Sequence, residues 1–125
     1  MNIRTIYASY AGVSTQSFQL SVATAVLLGV TADVNIASSG TASVRAVLSR
    51  SSETLIQCQT PINGEQPSTI ITAVSVNIAS AGNVGKVVPV YFPGGILVGP
   101  GFIYLIMTVD SASAVGTCYF SLLFR

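Results

Sequence analysis

Apolar and polar residues alternate with a period of two along most of the chain. Across residues 17–30, Phe18, Leu20, Val22, Val26, Leu28 and Val30 fall on one side, broken only by Thr24, with Ser17, Gln19, Ser21, Ala23 and Ala25 on the other. Such alternation sets one face of an extended strand against a core, and it predicts one long strand here. After a turn at Ser38-Ser39-Gly40 it resumes, with Ala42, Val44, Ala46 and Leu48 opposing Thr41, Ser43, Arg45 and Ser49. A shorter run over 54–60 turns Ile56 and Cys58 inward, and a polar loop bracketed by prolines follows at 61–67. Ile70, Val74, Val76 and Ile78 mark the next strand, over 69–79. Further runs at 84–92, 96–98, 102–109 and 114–124, with an N-terminal one near 3–9, bring the count to eight or nine strands. Helical periodicity longer than a turn is absent. Short strands separated by Gly, Pro, Ser and Asn turns specify an all-β, antiparallel sandwich or jelly roll of about eight strands, a closed barrel being the other architecture such a pattern allows.

Residues 91–109, YFPGGILVGPGFIYLIMTV, carry no charge. A spanning helix needs about twenty continuous apolar residues. Pro93-Gly94-Gly95 and Gly99-Pro100-Gly101 break the stretch twice, so they read as strand ends. A transmembrane barrel would need apolar residues alternating with polar lumen residues on most strands, which the more polar strands near 41–60 do not supply. No membrane partner is expected.

Within 102–109, Phe102, Tyr104 and Ile106 lie on one side, and Ile103, Leu105, Met107 and Val109 on the other. The last strand repeats this, with Cys118, Phe120, Leu122 and Phe124 on one side and Val115, Tyr119 and Leu123 on the other. Antiparallel strands in a small sandwich ordinarily keep one wet face. With no helices to cover an outer face, a second chain is expected to do so. Ile103, Tyr104, Leu105, Tyr119, Leu123 and Phe124 are the candidate contributors, the pattern leaving open which side is core.

Composition sharpens that expectation. The 125 residues, read as one domain over 1–125, are 50% apolar but only 7% charged, where roughly 25% is usual. A monomer of 12.9 kDa exposes about 6,300 Å², so its charges are spread at about one per 700 Å². A net charge of +1 provides little repulsion between copies. The five cations, Arg4, Arg45, Arg50, Lys86 and Arg125, are scattered singly and form no stripe to neutralise phosphates, which argues against nucleic acid. The start has no basic segment followed by an apolar run, so synthesis in a cytoplasm is expected.

Catalytic patterns are missing. There is no His, and Cys58 and Cys118 lie far apart without CxxC spacing, which removes the usual zinc and thiol-protease arrangements. Both are expected as free apolar thiols; a Cys58–Cys118 bridge belongs to the alternative of a secreted lectin or adhesin. Asp33, Glu53, Glu65 and Asp110 are isolated in or beside turns, and a serine nucleophile would have no base. No enzyme activity, cofactor or metal is expected.

From Val88 to Val109, Pro93-Gly94-Gly95 introduces a short apolar strand and Gly99-Pro100-Gly101 a longer one. This run resembles the late hairpin of jelly-roll structural proteins in tailed-bacteriophage virions, of the head decoration, cement or fibre-head type. The resemblance covers about a fifth of the chain. It implies a homotrimeric subunit on the outside of a capsid or on a tail appendage, made in the host cytoplasm, whose partners are its own copies and the major capsid protein or another virion protein. The leading expectation is therefore a capsid decoration or cement subunit that stabilises a shell by burial. The alternative is a receptor- or glycan-binding head in which Pro61, Asn63, Gly64, Glu65 and Pro67 form an exposed recognition loop.

Overall fold

The computed structural model describes residues 2–37, 40–50, 70–80, 84–110 and 115–125. Its strands are β1 (Asn2–Ala11), β2 (Ser14–Val22), β3 (Ala25–Ile36), β4 (Gly40–Ser49), β5 (Ile70–Ser80), β6 (Val84–Val98), β7 (Gly101–Val109) and β8 (Val115–Phe124). They pair antiparallel as β1 with β8, β2 with β7, β3 with β6, and β4 with β5. This is one long hairpin folded about the connection between β4 and β5. Rolling it up adds the contacts β3 with β8 and β4 with β7, giving two four-stranded sheets of order β1-β8-β3-β6 and β2-β7-β4-β5. That strand order is a jelly roll.

The inward residues of both sheets form one core. Leu27, Val30, Val34, Phe120 and Leu122 from the first sheet meet Val44, Leu48, Ile103, Leu105 and Met107 from the second, all essentially sealed from solvent. The accessible surface is 6548 Å², close to the area expected for this mass.

Two elements differ from the sequence expectation. The predicted long strand over 17–30 is two strands in opposite sheets, with a corner at Ala23-Thr24. Phe18, Leu20 and Val22 point inward from β2. On β3 the inward set becomes Leu27, Val30, Ala32, Val34 and Ile36, shifted by a bulge between Leu27 and Gly29. Val26 and Leu28, expected inward, are only half-buried. The second difference is β6, which runs unbroken through Pro93-Gly94-Gly95 where two strands were expected. Gly94 and Gly95 adopt φ of 77° and 79°, which lets the backbone bulge and continue, and a side chain at Gly95 would collide with Val26. The expected strand at 54–60, with Cys58, lies outside the described residues.

Long polar side chains tie the two sheets together at their edges. Arg4 Nη1 of β1 donates to the Ser21 carbonyl of β2 at 2.8 Å, and Gln16 Nε2 of β2 donates back to the Ser9 carbonyl at 2.8 Å. On the opposite edge Lys86 Nζ of β6 reaches the Asn77 carbonyl of β5 at 3.5 Å. Arg50, just past β4, donates from Nη2 to the Leu97 carbonyl of β6 at 3.1 Å. Three of the five cations thus serve as backbone donors across the sandwich.

Candidate assembly face

The two sheets present unlike outer faces. Register brings the outward residues of β1, β8, β3 and β6 into transverse rows, and the central row is Tyr7, Tyr119, Asp33 and Val87. On one side of it lie Thr5, Ser121, Thr31 and Pro89, followed by Ile3, Leu123, Gly29 and Tyr91. On the other side are Ser9, Thr117, Asn35 and Gly85, and the face ends at Ala11 and Val115. Ile3, Tyr7, Val87 and Tyr91 are more than half exposed, and Val115 and Tyr119 nearly so. The Tyr7 and Tyr119 rings lean on each other with centroids 4.9 Å apart and planes tilted by 52°. Tyr91 packs over Gly29, where an added Cβ would come within 2.9 Å of its ring. Asp33 is the only charged residue in these rows.

Six large side chains about half exposed leave roughly 600 Å² of apolar surface here. That is the upper end of what the largest patch on an ordinary monomer reaches.

The β2-β7-β4-β5 face is different. Its β2 and β5 rims carry exposed Thr15, Ser17, Gln19, Ser75 and Asn77. At its centre Val47 and Ile106 pair in register and are only 0% and 2% exposed, although both point away from the core. The second apolar side of β7 is therefore largely covered within the chain itself, apart from Phe102 at its start.

The six candidate interface residues divide accordingly. Ile103, Leu105 and Phe124 are buried on the core side of their strands, at 2%, 2% and 4% exposure. Tyr104, Tyr119 and Leu123 point outward, Tyr104 half-buried on the β2-β7-β4-β5 face and the other two on the β1-β8-β3-β6 face. The structure brings Tyr119 and Leu123 together and sets Tyr104 apart on the opposite sheet. Ile3, Tyr7, Val87 and Tyr91 join the face without having been picked out in the sequence, and Val115, read there on the same side of the last strand as Tyr119 and Leu123, lies at its end. One signal existed: Ile3 and Tyr7 alternate with Ile6, Ala8 and Tyr10, so β1 is apolar on both sides as β8 is. Their assembly into one surface depends on β1 pairing with β8. The candidate loop residues Pro61, Asn63, Gly64, Glu65 and Pro67 lie outside the described residues, as does Cys58.

Cys118 is a free, fully buried thiol. Burial, and secondarily the negative charge of Asp33, push its pKa up to about 12, so it stays a neutral apolar group. Next to it in the core Tyr10 reaches across β8 above Gly116 and donates from its hydroxyl to the Asn35 carbonyl of β3 at 2.9 Å. Its pKa is also raised, by burial first and by Cys118 second. A cleft of about 310 Å³ lies at the end of the sandwich beside the Ala23-Thr24 corner, lined by Asn2, Arg4, Val22, Phe124 and Arg125 among others. Its Arg4 is already engaged with Ser21. Among the described residues no three metal-ligating side chains gather, and no helix is long and apolar enough to cross a membrane.

The chain matches no protein-family model and no curated protein sequence. Among solved structures its fold is similar to that of TmCBM61, a carbohydrate-binding module in complex with beta-1,4-galactotriose. The identity is 10% and the TM-score 0.49, over 98% of this chain and 82% of that one. It is also similar to a chain of infectious bursal disease virus, Gx strain, at 8% identity and a TM-score of 0.40, covering 98% of this chain and 33% of that one. With likenesses this distant, the assignment as a jelly roll rests on the strand order itself.

Proposed function

We propose that this chain is a non-enzymatic structural subunit of a virion, a capsid decoration or cement protein that self-associates and binds a shell protein by burial. The observation that carries the reading is the outer face of β1-β8-β3-β6, a broad aromatic and aliphatic surface with Asp33 the one charge among the described residues of its rows. Covering about 600 Å² of apolar surface is worth about 15 kcal/mol before polar desolvation. Association costs about 4–15 kcal/mol. One such patch roughly balances that cost, and two facing each other exceed it. The virion setting draws on the phage-like run from Val88 to Val109, and the jelly roll is compatible with it.

The experiment is a mass measurement by light scattering on the purified protein, repeated for Tyr7→Glu. The wild type is expected as an oligomer and the variant as a folded species of lower mass. A wild type that is monomeric, with a mass unaffected by Tyr7→Glu, refutes the proposal.

A second reading, a glycan-binding head, is favoured by one feature of the same face. Tyr7, Tyr119 and Tyr91 are interleaved with Thr5, Thr31, Thr117 and Ser121, an arrangement of ring faces and hydroxyls able to hold a sugar. Glycan-array binding lost on Tyr7→Ala, with mass unchanged, would support it over the first.

A further inference from the structure

The register rows define a geometry for self-association, and this step rests on the reading of the face as an assembly surface. Four strands spaced by about 4.8 Å, over the span from Ile3 to Ala11 at about 3.4 Å per residue, make a face about 19 by 27 Å. With the relief of its side chains, two such faces in contact bury more than the ~1,000 Å² that a specific interface needs. Asp33 decides how they can meet, because a carboxylate covered without a donor is strongly unfavourable. Of the two-fold axes parallel to the strands, one above β3 sets Asp33 against its own copy. One above β8 leaves Val87 and Tyr91 beyond the overlap.

We infer that two copies pair through this face about a two-fold axis running between β8 and β3, so that Tyr119 of each subunit lies against Asp33 of the other. All four strands then overlap, β1 on β6 and β8 on β3. The central row meets its own reverse: Tyr7 covers the partner's Val87, and the Tyr119 hydroxyl donates to the partner's Asp33 carboxylate, each twice. Two rows further along, Ile3 and Leu123 both meet the partner's Tyr91, whose ring lies over Gly29. Sheets packed face to face turn by about 30° relative to each other, which displaces the corners most. The Tyr119 and Asp33 contacts sit nearest the axis and are displaced least.

The test uses the full chain with two variants, separate and mixed, followed by sedimentation and with folding checked by circular dichroism. Tyr119→Glu sets two carboxylates together twice, and Asp33→Lys leaves an ammonium opposite a tyrosine. Each alone is expected to be a folded monomer where the wild type is dimeric, with at least a hundredfold weaker self-association. An equimolar mixture is expected to restore a dimer, because each mixed pair has one native Tyr119–Asp33 contact and one Glu–Lys contact. Tyr119→Phe, which keeps the ring, is expected to weaken the dimer at least tenfold and covers the case in which either charged variant fails to fold. A mixture that stays monomeric, or a wild-type oligomer unaffected by Tyr119→Phe, overturns the two-fold pairing while leaving the assembly reading in place. A monomeric wild type, with or without an oligosaccharide bound to the face, overturns both.

Discussion

Gly116 is the position where a single methyl group should cost most. It is buried on the core side of β8, opposite Tyr10 of β1 and Ile36 of β3. A Cβ there would collide with the Asn35 carbonyl and lie 2.5 Å from the Tyr10 hydroxyl, the two atoms joined by the hydrogen bond that spans three strands. Gly116→Ala must push these groups apart. Overpacking a core site costs about 1–3 kcal/mol and the lost hydrogen bond about 0.5–1.5, so about 2–4 kcal/mol is expected. For 125 residues the unfolding entropy is about 0.26 kcal/mol/K, and the melting temperature should fall by about 8–15 °C. Tyr10→Phe removes the hydrogen bond alone and should cost about 1 kcal/mol, or about 4 °C. The two variants share that bond, so the double variant should be less destabilised than the sum by about 0.5–1.5 kcal/mol. Urea unfolding of the four proteins measures the free energies, and thermal unfolding the melting temperatures. Gly116→Ala within 0.5 kcal/mol of wild type would refute the reasoning.

Other predictions concern the core. Phe120 is 1% exposed between the sheets, and Phe120→Ala should cost about 3–5 kcal/mol in urea unfolding, against less than 0.5 for Ser17→Ala on the exposed side of β2. Cys118 titrates near 12 when folded and near 9 when unfolded, so its contribution is fully present below pH 9 and is lost as pH rises from 9 to 12; Tyr10 acts in the same direction. The urea midpoint should therefore fall over that window, and Cys118→Ala should flatten the fall. In the native state at neutral pH Cys118 should resist a thiol reagent, with labelling appearing only on unfolding.

The period-two pattern specified the sandwich because each inward set, such as Ala42, Val44, Ala46 and Leu48, is a property of one strand. What escaped it were features fixed by partners. The Ala23-Thr24 corner was hidden because apolar alternation continues on both sides of it, and only the sheet assignment shows that β2 and β3 face each other across the core. Pro93-Gly94-Gly95 read as a strand end because the ability of Gly94 and Gly95 to bulge does not distinguish a terminus from an irregularity within β6. The assembly face was half legible. Tyr119 and Leu123 came from the two-sided apolar character of β8, but Tyr104 went with them although β7 joins the other sheet. Ile3 and Tyr7 become part of a face only through the pairing of β1 with β8, which no pattern within β1 specifies.

The most direct test of the account is the mass of the wild-type protein on dilution, measured by light scattering. With the β1-β8-β3-β6 face covered by a second copy, the species that persists should weigh about 26 kDa, twice the 12.9 kDa chain, or a multiple of that. A stable 12.9 kDa species with Ile3, Tyr7 and Tyr91 open to solvent would contradict it.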